Sequence, residues 1–284
     1  MLAAMDVGGT NIRCHIIDDN GEIVGSEFME TQSIGLIEAI ELILKKHQID
    51  KIGISYAGQI SNGVILTSPN IKVDEPNIQA YFLEKHHIDL FIENDLKCAA
   101  LAEYEYWDCS STMVAASVGT GFGSAIVEKG KLLTGSLNLA GEIGHSPYKY
   151  SEIPCGCGNH YCIEASCSGS ALTRWVEHYQ LPVQKHLLQS LRDMDNQEAN
   201  RIIERFHEGL LFAVGSLISV INPKLIVLGG GVIHKNKYLL DIINENIDKY
   251  ALPTARKQTK IIISELEDAP LKGAELLTVY HSRC

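Results

Sequence analysis

The chain runs a strand into a glycine turn, returns along a second strand, makes a hairpin, and then does the same again. Leu2 to Val7 is apolar and ends in Gly8-Gly9-Thr10, Ile12 to Ile17 is strand-like, Asp18-Asp19-Asn20-Gly21 is a hairpin turn signal, and Glu22 to Phe28 is the next strand. Met113 to Val118 likewise ends in Gly119-Thr120-Gly121-Phe122-Gly123, Ser124 to Val127 resumes the strand, Lys129-Gly130 turns, and Lys131 to Thr134 follows. Asp6-Val7-Gly8 falls on Ser117-Val118-Gly119, and Gly21 falls on Gly130 with a shift of two residues. A repeated supersecondary unit predicts two related domains; two unrelated glycine-rich hairpins are the other reading.

Between these units strands alternate with helices. Ile34, Ile37, Ile40 and Leu44 have helical spacing, Lys51 to Ser55 is a strand, Leu90 to Ile92 leads into Glu93-Asn94-Asp95, and Leu96 to Tyr106 is helical. The class is therefore α/β. With no long linker, the boundary is expected near Cys109 to Thr112, giving domains 1–111 and 112–271. Leu210 to Ile233 is the most apolar stretch, but Asn222, Pro223 and Lys224 interrupt it, so it reads as a buried helix, a turn and a buried strand rather than a membrane span.

The formal net charge of −11 repels a phosphate backbone, and no long run of Lys and Arg offsets it, so no nucleic-acid partner is expected. Met1 to Val7 lacks the features of a signal peptide. Of eight cysteines, Cys155, Cys157 and Cys162 crowd into eight positions, unlike a disulfide framework, which points to a reducing, cytoplasmic setting.

A strand turning sharply through glycines lets backbone N–H groups approach an anion. Gly8-Gly9-Thr10 and Gly119-Thr120-Gly121 both do this, and Thr10 and Thr120 add hydroxyl donors. Asp6, at the strand end, suits a hydrated Mg²⁺. Neither loop is a Walker A or a good dinucleotide fingerprint, because a strand follows each. Gly229-Gly230-Gly231 fits a base or ribose lying on backbone, or equally a plain strand-to-helix turn.

His145 with Cys155, Cys157 and Cys162 forms a Cys₃His set suited to tetrahedral Zn²⁺, closed and hence structural. An iron–sulfur cluster, a redox thiol pair or coincidence are the alternatives. Asp95 sits where a strand becomes a helix; position alone favours a helix N-cap over a base that takes a proton from an attacking hydroxyl. Glu142 and Glu164 flank the cysteine cluster, as solvated surface groups or as ligands of sugar hydroxyls.

Taken together, Asp6-Val7-Gly8-Gly9-Thr10, Glu93-Asn94-Asp95, Val118-Gly119-Thr120-Gly121, Gly141-Glu142-Ile143-Gly144-His145, Cys155-Gly156-Cys157-Gly158 with Cys162 and Glu164, Ser168-Gly169 and Leu228-Gly229-Gly230-Gly231 resemble the ROK family of repressors and sugar kinases. The resemblance implies a two-domain actin-like ATPase (ribonuclease H-like) fold with a nucleotide and sugar cleft between the domains, and a C-terminal helix at about 272–284 packed on the first domain. It implies Mg-ATP as co-substrate, structural zinc, a homodimer and a hexose phosphorylated at its 6-hydroxyl, with glucose first, N-acetylmannosamine, N-acetylglucosamine and fructose among the alternatives. Asp95 would be the base; Asn70, Asn94, Glu142, His145 and Glu164 would bind sugar; Asp6, Gly8, Gly9, Thr10, Asn11, Gly119, Thr120, Gly121, Gly230 and Gly231 would bind nucleotide. The family's repressors carry a DNA-binding domain ahead of the Gly-Gly-Thr strand, where this sequence has five residues before Asp6; a sugar sensor without catalysis is the further alternative. Two departures stand out: Asn11 replaces a frequent Lys, with Arg13 two residues on, and Tyr161 replaces the Gly before the last cluster cysteine.

Overall fold

The computed structural model describes residues 1–68 and 71–280. They form two compact units, one built from Met1–Asp108, Leu132–Ala140 and the chain from Leu266 onward, the other from Cys109–Lys131 and Gly141–Glu265.

The first unit holds strands β1 (Leu2–Val7), β2 (Asn11–Ile17), β3 (Ile23–Glu30), β4 (Lys51–Tyr56), the hairpin β5 (Gln59–Ser61) and β6 (Val64–Thr67), and β7 (Asp89–Asn94). Its helices are α1 (Leu36–Lys46), α2 (Ile78–His86) and α3 (Asp95–Tyr106). The second unit holds β8 (Met113–Val118), β9 (Phe122–Glu128), α4 (Gly169–His178), α5 (Leu187–Arg192), α6 (Gln197–Ile221), β11 (Leu225–Gly229), α7 (Gly231–Lys235), α8 (Tyr238–Asn246), α9 (Pro253–Gln258) and β12 (Lys260–Ile263). Strand β10 is only Lys131–Leu132, shorter than the sequence suggests, and the final helix α10 is Ala269–Tyr280.

Sheet order makes the internal repeat visible. One sheet runs β3-β2-β1-β4-β7 and the other β10-β9-β8-β11-β12. In each, the glycine-turned pair is antiparallel, and β4 and β7 in the one sheet and β11 and β12 in the other run parallel to its first member. Parallel strands buried on both faces read as continuous apolar runs, which is why β4 and β11 carry Ile52, Ile54, Ile226, Val227 and Leu228 inside.

Helix spacing sets the cores. Leu36, Ala39, Ile40 and Ile43 of α1 are buried beside Met5, Ile12, Ile54 and Phe82. On α6, Ile202, Phe206, Leu210, Val214 and Leu217 form the buried stripe against Trp175 and Ile226. That helix ends at Asn222, which takes the left-handed conformation before Pro223. Among the described residues no helix is long and apolar enough to cross a membrane.

Helix α10 packs on α3, β1 and β4. Two glycines permit the approach: a Cβ at Gly53 would stand 1.9 Å from the Ala274 carbonyl oxygen, and one at Gly273 would stand 1.9 Å from that of Cys98. Residues 132–140 are anchored to the first unit through Asn138. Its amide donates to Ile60 O (2.8 Å) and to both Glu93 carboxylate oxygens (2.8 and 2.9 Å), while the buried Lys97 ammonium donates to its side-chain and main-chain oxygens.

Because backbone rather than a flexible side chain opposes it, Gly53→Ala is expected to destabilise the protein by about 1–3 kcal/mol, read as a lowered midpoint in thermal or urea denaturation. An unchanged midpoint would mean that α10 does not lie against β4.

Candidate active site and metal centre

In a parallel sheet, ligands bind beyond the carboxyl ends of the strands. In the first unit those ends carry the acidic residues. Register aligns Asp6 of β1 with Ser55 of β4, and Ser55 with Glu93 of β7, so Asp6 and the Glu93-Asn94-Asp95 run share one sheet edge. Gly8, Gly9 and Thr10 form the turn at the end of β1; Gly8 N–H donates to Asn11 O (2.9 Å), and Thr31 Oγ1 donates to Gly8 O (2.7 Å).

Helix α3 is capped by Asn94, one residue earlier than Asp95. Asn94 Oδ1 accepts from Leu96 and Lys97 N–H (3.0 and 3.3 Å), while its amide donates to Gly58 O and Asp95 Oδ1 (both 3.0 Å). The side chain is thus fully engaged in holding the strand-to-helix junction. Asp95 is not the cap, although its Oδ1 shares the Leu96 N–H with Asn94. Burial pushes its carboxyl up to about 6, against the Leu96 N–H (2.8 Å), which lowers it, and with the nearby Asp6 charge adding to the rise.

Asp6 is held at both oxygens. Ser55 Oγ donates to Oδ1 (2.9 Å), and Arg13, opposite Asp6 on β2, donates to Oδ2 (2.7 Å). The same guanidinium also donates to Asp268, just before α10. Arg13 therefore brings a cation to this edge that a reading of Asn11 alone misses.

In the second unit the glycine turn after β8 is locked to the start of α4. Gly169 N–H donates to Gly119 O (2.8 Å) and Ser170 N–H to Thr120 O (2.9 Å). Gly230 has φ +89° and its missing Cβ would lie 2.4 Å from Val118 O, so only glycine fits between β8 and α7. It caps α7, so the plain turn reading holds, yet Gly231 also lines a cavity of about 1030 Å³ with Gly119 and Thr120. Ser170, Lys185, His186 and Lys235 complete part of that wall. The sequence reading missed these four; only Ser168-Gly169 signalled the region.

The cysteine cluster assembles as the sequence predicts. Ligand atoms of His145, Cys155, Cys157 and Cys162 all lie within 4.8 Å of one another. Cys157 and Cys162 sulfurs are 3.5 Å apart, near the ~3.8 Å edge of a tetrahedron with metal–sulfur bonds of about 2.3 Å. His145 Nδ1 stands 3.7 Å from Cys155 Sγ. A backbone bridge between Pro147 and Cys162 closes the loop. Tyr161 has no positive φ, so replacing glycine there strains nothing.

Glu164 joins the cluster to the glycine turn. Its Oε2 accepts from Phe122 N–H (2.8 Å), and Cys155 Sγ lies 3.1 Å from its Oε1. A Cβ on Gly121 would meet that carboxylate at 2.7 Å. Glu142, by contrast, is exposed, ahead of the one-turn 3-10 helix Ile143–His145. Asn70 lies outside the described residues. The other candidate residues fall into two sets, each assembled within its own unit.

A carboxyl raised from 3.8 to about 6 costs stability once ionised: between those pH values the native state holds a proton the unfolded chain has lost, so stability falls as pH rises. Asp95→Asn is therefore expected to raise stability at pH 7 by up to ~3 kcal/mol, with the gain vanishing below about pH 4. Denaturation midpoints of both proteins at the two pH values check this; a gain equal at both would remove the buried charge as its cause.

Comparison with known proteins agrees with these features. The chain is 28% identical to an N-acetylmannosamine kinase of Yersinia pseudotuberculosis over 238 residues, 81% of this chain and 82% of that one. It superposes on a ROK hexokinase from Thermus thermophilus with a TM-score of 0.82 at 25% identity, covering 99% of both chains. A ROK glucokinase from Streptomyces griseus, solved with glucose and AMPPNP, shares the fold with a TM-score of 0.75 at 22% identity, over 97% and 98% of the two chains. The fold is thus the two-domain actin-like one, and with residues 2–280 matching the ROK family throughout, the chain belongs to that family.

Proposed function

We propose that this protein is an ATP-dependent hexose kinase. The observation that carries the reading is the Asp95 carboxylate: half-buried, just inside the Asn94 cap, raised to about 6 and set at the carboxyl edge of a parallel sheet beside Asp6. A base works best with a pKa near the working pH. In the proposed step a sugar hydroxyl attacks the γ-phosphorus of ATP, its proton passes to Asp95, and the bond to the bridging oxygen breaks to release ADP. The protein's part is to orient and to offset charge. Mg²⁺, which neutralises phosphate charge, fits the oxygen chemistry of Asp6. The nucleotide reading rests on the Gly8–Thr10 turn with Asn11 and on the cavity bordered by Gly119, Thr120, Gly231 and Lys235; Gly121 and Gly230 shape its backbone.

For the sugar, Glu142, His145 and Glu164 supply the polar groups, and Asn94 acts by fixing Asp95. Glucose and N-acetylmannosamine are the leading substrates, the second because of the Yersinia relative. Zinc suits the three thiolates and one imidazole and would brace the loop carrying His145 and Glu164. All seven described cysteines are free, in keeping with the cytoplasm.

ADP release from Mg-ATP over a panel of hexoses and N-acetylhexosamines should show turnover on one sugar, abolished in Asp95→Asn while sugar binding survives. The wild-type rate should fall as pH drops through about 6. Activity retained by Asp95→Asn removes the base assignment. Metal analysis should find one zinc per chain, lost with the thermal stability of the loop in Cys162→Ser; a stable, metal-free wild-type protein refutes the zinc.

A further inference from the structure

A second cavity, of about 280 Å³, lies in the second unit among Tyr148, Ser166, Trp175, Tyr179, Glu204 and Arg205. It shares no lining residue with the cavity at Gly119 and includes none of the four cluster ligands. Its most informative occupant is Arg205. The guanidinium sits over the Trp175 ring, its carbon 4.1 Å from the ring centre, and among the described residues no hydrogen bond or ion pair engages it. The other cations of the wall are already matched, Lys149 with Glu208 at 2.7 Å and Arg201 with Glu198 at 2.9 Å. Tyr179 stacks on Trp175, so the ring and the guanidinium it carries are held in place.

The second informative group is Ser166. It is 3% exposed, belongs to the cavity wall, and its hydroxyl has no hydrogen-bond partner. A buried hydroxyl left unpaired is costly. One buried donor without an acceptor and one planar fork of N–H donors without a carboxylate meet in the same hollow. Both ask for oxygen atoms, and the fork asks for an oxyanion. The volume exceeds that of a bare ion and sits at the small end of ligand pockets. Glu204 is exposed and can accept from hydroxyls.

We propose that this cavity is a separate binding site for a monosaccharide-sized ligand bearing one oxyanion, held by the Arg205 fork and the Ser166 hydroxyl. A sugar phosphate and a sugar acid share that chemistry. The position gives the site a reach beyond itself. Ser166 N–H closes the one-turn helix Ile163–Ala165 by donating to Ile163 O (2.8 Å), and Trp175 Nε1 donates to Ala165 O (3.0 Å). Glu164 lies in that turn, so an occupant of the cavity bears on the carboxylate that links the glycine turn to the cysteine cluster. Binding itself does not rest on the kinase reading.

Isothermal titration of glucose 6-phosphate, glucuronate and glucose into the wild type, Arg205→Met, Arg205→Lys and Ser166→Ala tests the site without requiring turnover. At least one acid should bind the wild type and be weakened ~10-fold or more by Arg205→Met, as loss of hydrogen bonds to a charged group implies. Arg205→Lys, which keeps the charge and loses the fork, should fall between, and Ser166→Ala should weaken the same isotherm. The glucose isotherm should be the same in all four. A response to glucose 6-phosphate alone assigns the phosphate, and a response to glucuronate alone the carboxylate. Acid isotherms untouched by Arg205→Met, no acid binding at millimolar concentration, or parallel loss of glucose binding would overturn the proposal.

Discussion

Keeping one carboxylate out of water is costly, and much of the first unit bears on that cost. Asp95 can stay half-buried because its neighbours do most of the structural work that a residue at a strand-to-helix junction would otherwise do. Asn94 accepts from the Leu96 and Lys97 N–H groups of α3, Glu93 turns to the Asn138 amide, and Lys97 is occupied by Asn138 oxygens. The close glycine contacts of α10 with α3 and β4 fix the helix whose first residue is the carboxylate. What remains is an acid group raised toward neutrality by its surroundings, with Asp6 close enough to push further.

The second unit depends on a different carboxylate. Glu164 touches the N–H after the glycine turn with one oxygen and the Cys155 sulfur with the other. Position along the chain makes Glu164 look like one more surface acid near a cysteine cluster. Its two contacts make it the point where the phosphate-loop backbone and the metal loop are mechanically joined. Gly121 is glycine because that carboxylate occupies the space of a Cβ.

The local grammar of the chain was readable because it is written in short range. Glycine turns, alternating apolar strands and the tight Cys155 to Cys162 spacing each need only a few residues, and the repeated β8–β9 unit follows from them. The four cluster ligands converge as their spacing suggested. Features that depend on distant partners were not readable. Nothing near Arg13 announces Asp268, 255 positions away. Lys185 and His186 border the glycine cavity from just before α5, and Lys235 from the last residue of α7, positions that no local motif marks. Position along the chain favours Asp95 as the cap whereas Asn94 is the one that caps, because both residue types cap well and only geometry separates them. The placement of residues 132–140 with the first unit hinges on Asn138, whose partners Ile60 and Glu93 are far back along the chain.

That last arrangement, together with α10, has a consequence for how the protein is made. The first unit is written in three pieces, and the piece that covers β1 and α3 arrives last. A ribosome adding about 5–20 residues per second needs on the order of ten to thirty seconds to pass from the end of the first piece to the third. Through that interval the surfaces that α10 covers, including Ala4 of β1 and Ile17 of β2, wait uncovered while the second unit emerges. The half that carries the buried acid is begun first and completed last, so chaperone demand during synthesis should fall on the older half of the nascent chain rather than the newer.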